Sequence, residues 1–284
     1  MRAETAIITD STCDLPGELL AEHSIQVVPL TIIWGDQQYR DGRDIQPKEF
    51  YERLEADPTY PSTSQPSPES MREAYQQAQD QGAREIAVLT LSSAMSGTHQ
   101  SAQTAAEDFP LPVHVHDSRS NSMGLGWQVL AAARARERGG GAIAMLEAAA
   151  RARETMSYRI TLDTLEYLHR GGRIGGASRF LGDLLNLKPQ IKVNHRTGEV
   201  EAGRRSRTRK RALQDLYRDF FDDLEPGKPF RVAVLHNADR QAAEQLAEQI
   251  HSEHQPEELL ITIVSPILGV HTGPRAVALC GYTL

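Results

Sequence analysis

Cysteine is nearly missing from this chain: two residues among 284, Cys13 and Cys280, near opposite ends. With no C-x-x-C pair and no Cys/His ligand spacing, a disulfide framework is excluded and no metal site is expected. Long apolar runs are missing too. Met1 to Thr5 lead straight into a short apolar stretch that ends at Thr9 and Asp10. No leader-like apolar region and no run of 18 apolar residues follows, so the expectation is no secretory leader, no stable membrane insertion and a cytoplasmic location. An excess of positive charge is also absent. The net charge is -7, with 31 basic against 38 acidic residues, which makes nucleic acid an unexpected partner. There is no internal repeat and no low-complexity linker.

What is present is an ordinary globular composition, 39% hydrophobic and 24% charged, in a chain long enough for two modest domains. In the first half, short apolar runs at Ala6–Ser11, Val27–Ile33, Glu85–Leu91 and Val113–Asp117 read as buried strands. Helical patterns lie between them. Pro68–Gln81 begins on proline and stops at Gly82; Thr98–Asp108 and Leu125–Arg138 follow, the latter closed by Gly139–Gly141. Strand–helix–strand alternation at this spacing predicts a parallel sheet flanked by helices, with ligands expected beyond the C-terminal strand ends. Thr9–Thr12 and Ser92–Thr98 fall at that edge.

The second half predicts a mixed sheet. Tyr158–Leu162 reads as a strand, with short helices at Leu165–Leu168 and Phe180–Leu187. Lys188–Arg204 reads as a hairpin around Asn194-His195-Arg196-Thr197-Gly198. A basic helix from Thr208 to Leu224, strand Arg231–Leu235, helix Arg240–His251 and strand Leu259–Val264 follow. The expected fold is therefore two α/β domains, residues 1–157 and 158–284.

Several polar segments carry candidate chemistry. Thr63-Ser64-Gln65-Pro66-Ser67 supplies hydroxyls for an anion; Ser67 before Pro68 reads better as a helix cap, leaving Thr63 for a ligand. Leu91–Thr98 runs from a strand end into a helix start, where backbone N–H groups and hydroxyls hold an anion without Lys or Arg, or simply cap the helix. Gly269–Pro274, read as a glycine-bounded loop, sets His271 beside Thr272, able to donate to a carboxylate or carry a proton. The glycine-rich stretch Arg170–Gly176 matches neither phosphate-loop template. No G-x-S-x-G is present, and a triad of Ser96, His271 and Asp10 has no support in the sequence.

In order and spacing, these segments resemble the DegV family from end to end. The resemblance rests on Thr9–Thr12 with Asp14-Leu15, Thr63–Ser67, Leu91–Ser93 through Ser96-Gly97-Thr98, and Leu165–Leu168 with Gly171–Ile174. Arg207–Leu213 and Gly269 with His271–Pro274 complete it. It implies a non-enzymatic protein with a long-chain fatty acid buried between two α/β domains. It also implies presentation of that acid to a separate fatty acid kinase, which makes the acyl phosphate, with no cofactor. Carried over by motif, Thr63, Ser96 and His271 would contact the carboxylate, with Thr272 beside them. Arg275 departs from the family, which usually has Gly after Gly-Pro. Ile160, Leu162, Leu165, Phe180, Leu181, Leu184 and Leu185 are the candidate tail-lining residues, and no arginine clamp on the carboxylate is expected. Six of the eight residues from Arg204 to Arg211 are cationic; the resemblance assigns this segment, through Arg205, Arg207 and Arg209, to the kinase and its nucleotide. The alternative is a phosphocarrier or sugar-phosphate enzyme using His271 in the interdomain cleft.

Overall fold

The apolar runs of the first half become a four-stranded parallel sheet. Its strands are β1 (Thr5–Asp10), β2 (Ile25–Val28), β6 (Glu85–Thr90) and β7 (Val113–Asp117), in the order β2-β1-β6-β7. The computed structural model describes residues 4–183 and 187–284, leaving aside the side chains of 180–183. β1 and β6 lie at the centre and are buried on both faces, so they read as unbroken apolar runs. The chain leaves β1 toward β2 on one side and later enters β6 and β7 on the other. The switch point therefore falls at the C-terminal ends of β1 and β6, where open α/β sheets bind ligands. Asp10, fully buried there, accepts from the Leu91 N–H (2.7 Å) and from the hydroxyl (2.6 Å) and N–H (3.0 Å) of Thr12.

Helices α1 (Gly17–Glu22), α2 (Pro47–Ala56), α3 (Pro68–Asp80), α4 (Thr98–Ala106), α5 (Met123–Glu137) and α6 (Ala142–Glu154) complete this half. α3 starts as its sequence predicts: the Ser67 hydroxyl accepts from the Ser70 N–H at 3.1 Å, and Met71, Ala74, Tyr75 and Ala78 form its buried stripe. α5 is apolar all round because both its sides are covered, by β1 and β6 on one and by the second sheet on the other. The Trp127 indole N–H reaches across to the Cys280 carbonyl at 3.0 Å.

Val27–Ile33, expected as one strand, is two. β2 ends at Val28, and β3 (Thr31–Trp34) begins in a separate antiparallel sheet with β4 (Gln37–Arg40) and β5 (Ser62–Ser64). Pro29 between them has no N–H to continue a ladder. In this small sheet Ile32 lies opposite Thr63, which fixes where Thr63 sits.

The second half holds a six-stranded mixed sheet. Its strands are β8 (Met156–Thr161), β9 (Lys188–Asn194), β10 (Glu199–Ser206), β11 (Phe230–His236), β12 (Glu258–Ile263) and β13 (Val277–Thr283), in the order β10-β9-β8-β13-β11-β12. β11 and β12 run parallel and the other pairs antiparallel. The β9–β10 hairpin is the predicted one. β13 (Val277–Thr283), which follows the Gly273-Pro274 turn, was not expected as a strand, yet it is central. Its alternate residues separate two cores: Val277 and Leu279 meet α8 (Arg209–Phe221) and α9 (Arg240–His254), while Ala278, Cys280 and Tyr282 face the first half.

Two short helices, α7 (Glu166–Arg170) and α10 (Pro266–Thr272), and a 3-10 segment at Gly175–Asp183 join these strands. The expected loop at Gly269–Pro274 is mostly helix: Gly269–Thr272 are the end of α10, which starts on Pro266. Gly269 is needed for closeness, since a Cβ there would lie 2.6 Å from the Phe50 ring. Among the described residues no helix is long and apolar enough to cross a membrane.

Candidate functional site

Where the two halves meet, they enclose a cavity of about 170 Å³. The first half contributes Thr12 and Leu91 from the switch point, Leu30, Thr63 and Ser64 on β5 with Gln65 after it, Met95 and Ser96 before α4, and Asn121. The second half contributes an apolar wall: Tyr158 and Ile160 on β8, Ile191 and Val193 on β9, Val200, Ala278 and Leu168, with Ile267 and Leu268 of α10. Polar groups gather at one end, around the C-terminus of α10.

There Thr63 Oγ1 and His271 Nε2 lie 2.9 Å apart, joining residues 208 positions apart in sequence. Burial, and then the charge of Arg173, push the His271 imidazole down to about 4, so it is neutral at pH 7. Its Nδ1 has no hydrogen-bond partner and lies against Gly171, where a Cβ would come within 2.1 Å. The Ser96 hydroxyl is 2.9 Å from that of Thr98 and accepts the Thr98 N–H at 3.3 Å, so it also serves the start of α4. The Thr272 hydroxyl donates to the Leu268 carbonyl (2.9 Å) and accepts from the Asn237 amide (2.8 Å). Thr63, Ser96, His271 and Thr272 all line the cavity, Thr63 and His271 in direct contact and Thr272 already committed to its neighbours.

The helix that carries His271 is held at its other end by two buried carboxylates. Asp14 accepts from the Ser265 N–H at 3.0 Å and from the Ser122 hydroxyl; Asp41 accepts from the Ile267 N–H at 3.2 Å. Acceptors at a helix start satisfy its free N–H groups and complement its dipole. Burial pushes Asp14 and Asp41 up to about 7 and Asp10 up to about 6.

The other expectations fare unevenly. Ile160 lines the cavity. Leu162 and Leu165 do not; they are fully buried in the packed core beside it. The side chains of Phe180 and Leu181, and the whole of Leu184 and Leu185, lie outside the described residues. Of the basic segment, Arg205 and Arg207 are exposed. Arg209 is not a free surface cation: it is mostly buried, 2.6 Å from Asp239 and 3.8 Å from Asp163, because it opens α8 against those acids. Arg275 has φ +62°, a conformation that favours glycine, and its guanidinium turns to Asp163 at 3.5 Å.

Among the polar cavity residues, Arg173 and Asn237 were not expected as contacts. Arg173 lines the wall and donates to the carbonyls of Gly171 (2.7 Å) and Met95 (3.3 Å). Its glycine-rich setting was the available signal, set aside for matching no phosphate-loop template. Asn237, which also donates to the Gly273 carbonyl at 2.6 Å, had no local signal at all.

Comparison with known proteins gives a consistent picture. The family model described as "Uncharacterised protein, DegV family" matches residues 4–283. A DegV domain-containing protein of Streptomyces coelicolor is 35% identical over 277 residues, covering 96% of each chain. Among solved structures, a DegV family protein from Thermus thermophilus, described for its fatty acid binding, superposes with a TM-score of 0.92 at 37% identity, covering 99% of both chains. A stearic acid-binding protein from Eubacterium ventriosum superposes with a TM-score of 0.88 at 27% identity, covering 98% of both.

Proposed function

The chain belongs to the DegV family, and on that premise we propose that it binds one long-chain fatty acid in the cavity between its halves, taken as domains 1–157 and 158–284. The acyl chain lies along the apolar wall of β8, β9 and β13. The carboxylate meets Thr63, Ser96 and His271, with Thr272 behind them. The observation that carries this reading is the cavity itself: apolar along its length, with hydroxyls and one neutral imidazole gathered at one end.

The energetics agree. Each buried methylene contributes ~0.8 kcal/mol, so a chain of about fourteen gains on the order of 11 kcal/mol gross. Ordering the chain and desolvating the carboxylate remove several kcal/mol of that. The tail supplies affinity, and the head group needs only hydrogen bonds. Arg173 adds a positive charge at that end, which favours an anion without requiring a bidentate clamp.

The protein performs no chemistry on the acid in this reading. It presents the carboxylate, in the cytoplasm, to a separate kinase that forms the acyl phosphate, with the exposed part of the Arg204–Arg211 segment as the meeting surface. Phosphoryl carriage on His271 is disfavoured, since the cavity beside it is lined mostly by apolar residues, which suit an acyl chain better than a sugar phosphate. Native mass spectrometry of the purified protein tests the binding claim. Wild type should carry one fatty acid. Thr63→Val should fold normally and hold the acid more weakly by about 1–3 kcal/mol, the cost of losing one buried partner. A protein that neither carries nor takes up fatty acid would overturn the reading.

A further inference from the structure

A second cavity, of about 670 Å³, opens on the far side of the wall formed by Tyr158 and Val193, which line both cavities. Its lining is charged rather than apolar: Arg119, Arg153, Arg159, Lys192 and Arg196 against only Glu154 and Asp223. Two of the cations are already matched, Arg159 by a two-pronged pair with Asp223 (2.7 and 2.9 Å) and Lys192 by Glu201 (3.1 Å). Among the described residues, the other three have no carboxylate within ion-pair distance. Arg119 donates to the Arg196 carbonyl and Arg153 to the Asp117 carbonyl, each at 2.9 Å, and carbonyls carry no charge to offset theirs.

Arg119 and Arg153 each have a structural use. Arg119 ties the β9–β10 hairpin to the first half, and Arg153 ends α6, where a cation suits the helix dipole. Those uses do not explain why they converge. Arg119 and Arg153 are close enough to repel, offset in part by Asp117 and Glu154, and His195 sits among them with its ring nitrogens buried and no side-chain partner, next to the Arg119 backbone. The Arg119 backbone is also held at φ +50°, a strained conformation for arginine. On a protein of net charge -7, a concave site with three unmatched guanidiniums and an unused imidazole has the donor set of a phosphoryl group, which guanidinium forks recognise with two hydrogen bonds each.

We propose that this second cavity binds a small phosphorylated metabolite, with Arg119, Arg153 and Arg196 on the phosphoryl oxygens and His195 completing the contact. The room beyond one phosphoryl group suits a diphosphate or a nucleotide. A nucleic-acid strand needs a basic track across the surface, and the acidic remainder of the molecule opposes it. The site is separate from the acyl cavity, so its loss leaves lipid binding unchanged.

The test titrates pyrophosphate, and separately ADP, into the full lipid-loaded chain by isothermal calorimetry, with the imidazole proton signals of His195 followed by NMR. The expected result is saturable one-to-one binding of at least one probe, with a shift of the His195 signals. Arg153→Gln combined with Arg196→Gln should weaken that binding about tenfold or more, with bound lipid unchanged. Arg196→Gln alone, at an exposed position, serves if the double variant folds poorly. No saturable binding of either probe, binding undiminished in the variants, or unmoved His195 signals would each overturn the proposal.

Discussion

His271 and Thr63 meet although no local pattern links them. Each lay in a short polar segment that also read as a turn or cap, and only the order of such segments along the whole chain singled them out. Asp41 shows the opposite case, a residue with no sequence signal whose burial makes it matter. Its carboxyl is raised to about 7 from an ordinary 3.8, and its Oδ2 has no hydrogen-bond partner. The native state therefore binds more protons than the unfolded chain between those values, and stability is lost as pH rises through that window. Asp41→Asn keeps an acceptor for the Ile267 N–H and removes the charge. It should raise unfolding stability by about 1–3 kcal/mol at pH 8 and change little at pH 4.5. Denaturant titration of lipid-free protein at the two pH values measures this; equal effects at both would contradict the assignment.

Among the elements, Tyr158 on β8 and Val193 on β9 line the acyl cavity at strand positions beyond the Thr161–Val277 pair. The register places them: Ala278 on β13 lies opposite Ile160 and Cys280 opposite Tyr158, so each step along β13 leads away from His271 and Thr272. At about 3.3 Å per residue, Tyr158 sits roughly 10 Å beyond Thr161, the partner of Val277. Tyr158→Ala should shift the bound acids toward longer chains, by about 1.6 kcal/mol for an acid two methylenes longer, while Tyr158→Phe keeps the wild-type profile. Competition between acids of graded length, read by mass spectrometry, decides it; an unchanged profile in Tyr158→Ala would show that the wall lies elsewhere.

The basic segment divides at the same scale. Arg209→Glu should lower stability by about 1–3 kcal/mol, since it faces Asp239 and Asp163. Arg207→Glu should leave stability and acid retention intact and reduce salt-sensitive acyl-phosphate formation with a cognate kinase. Equal melting temperatures for the two variants would contradict this division. Six cations among eight residues were legible in the sequence; which of them are tied down depends on acids outside the segment, Asp219 for Arg204, Asp215 for Arg211 and Asp239 for Arg209. The central strands and α3 were legible from apolar runs and caps. The split at Pro29, the helical end of α10 and strand β13 were not, because tertiary packing decides which sheet or helix takes those residues.

Across the molecule, α5 acts as a shared layer between two sheets, and the cavity between the halves draws on residues from Thr12 to Ala278. Two α/β units were legible from the alternation of strands and helices; the cavity between them was not, since it is a property of how their faces meet. The central claim is that a fatty acid fills this cavity with its head group at Thr63, Ser96 and His271. A crystal structure of the protein purified with its lipid tests it most directly. The account predicts density for an acyl chain along Ile160, Ile191 and Ala278, with carboxylate oxygens about 2.6–3.2 Å from Thr63 and His271. An empty cavity in a lipid-bearing crystal, or an acid bound at another surface, would contradict it.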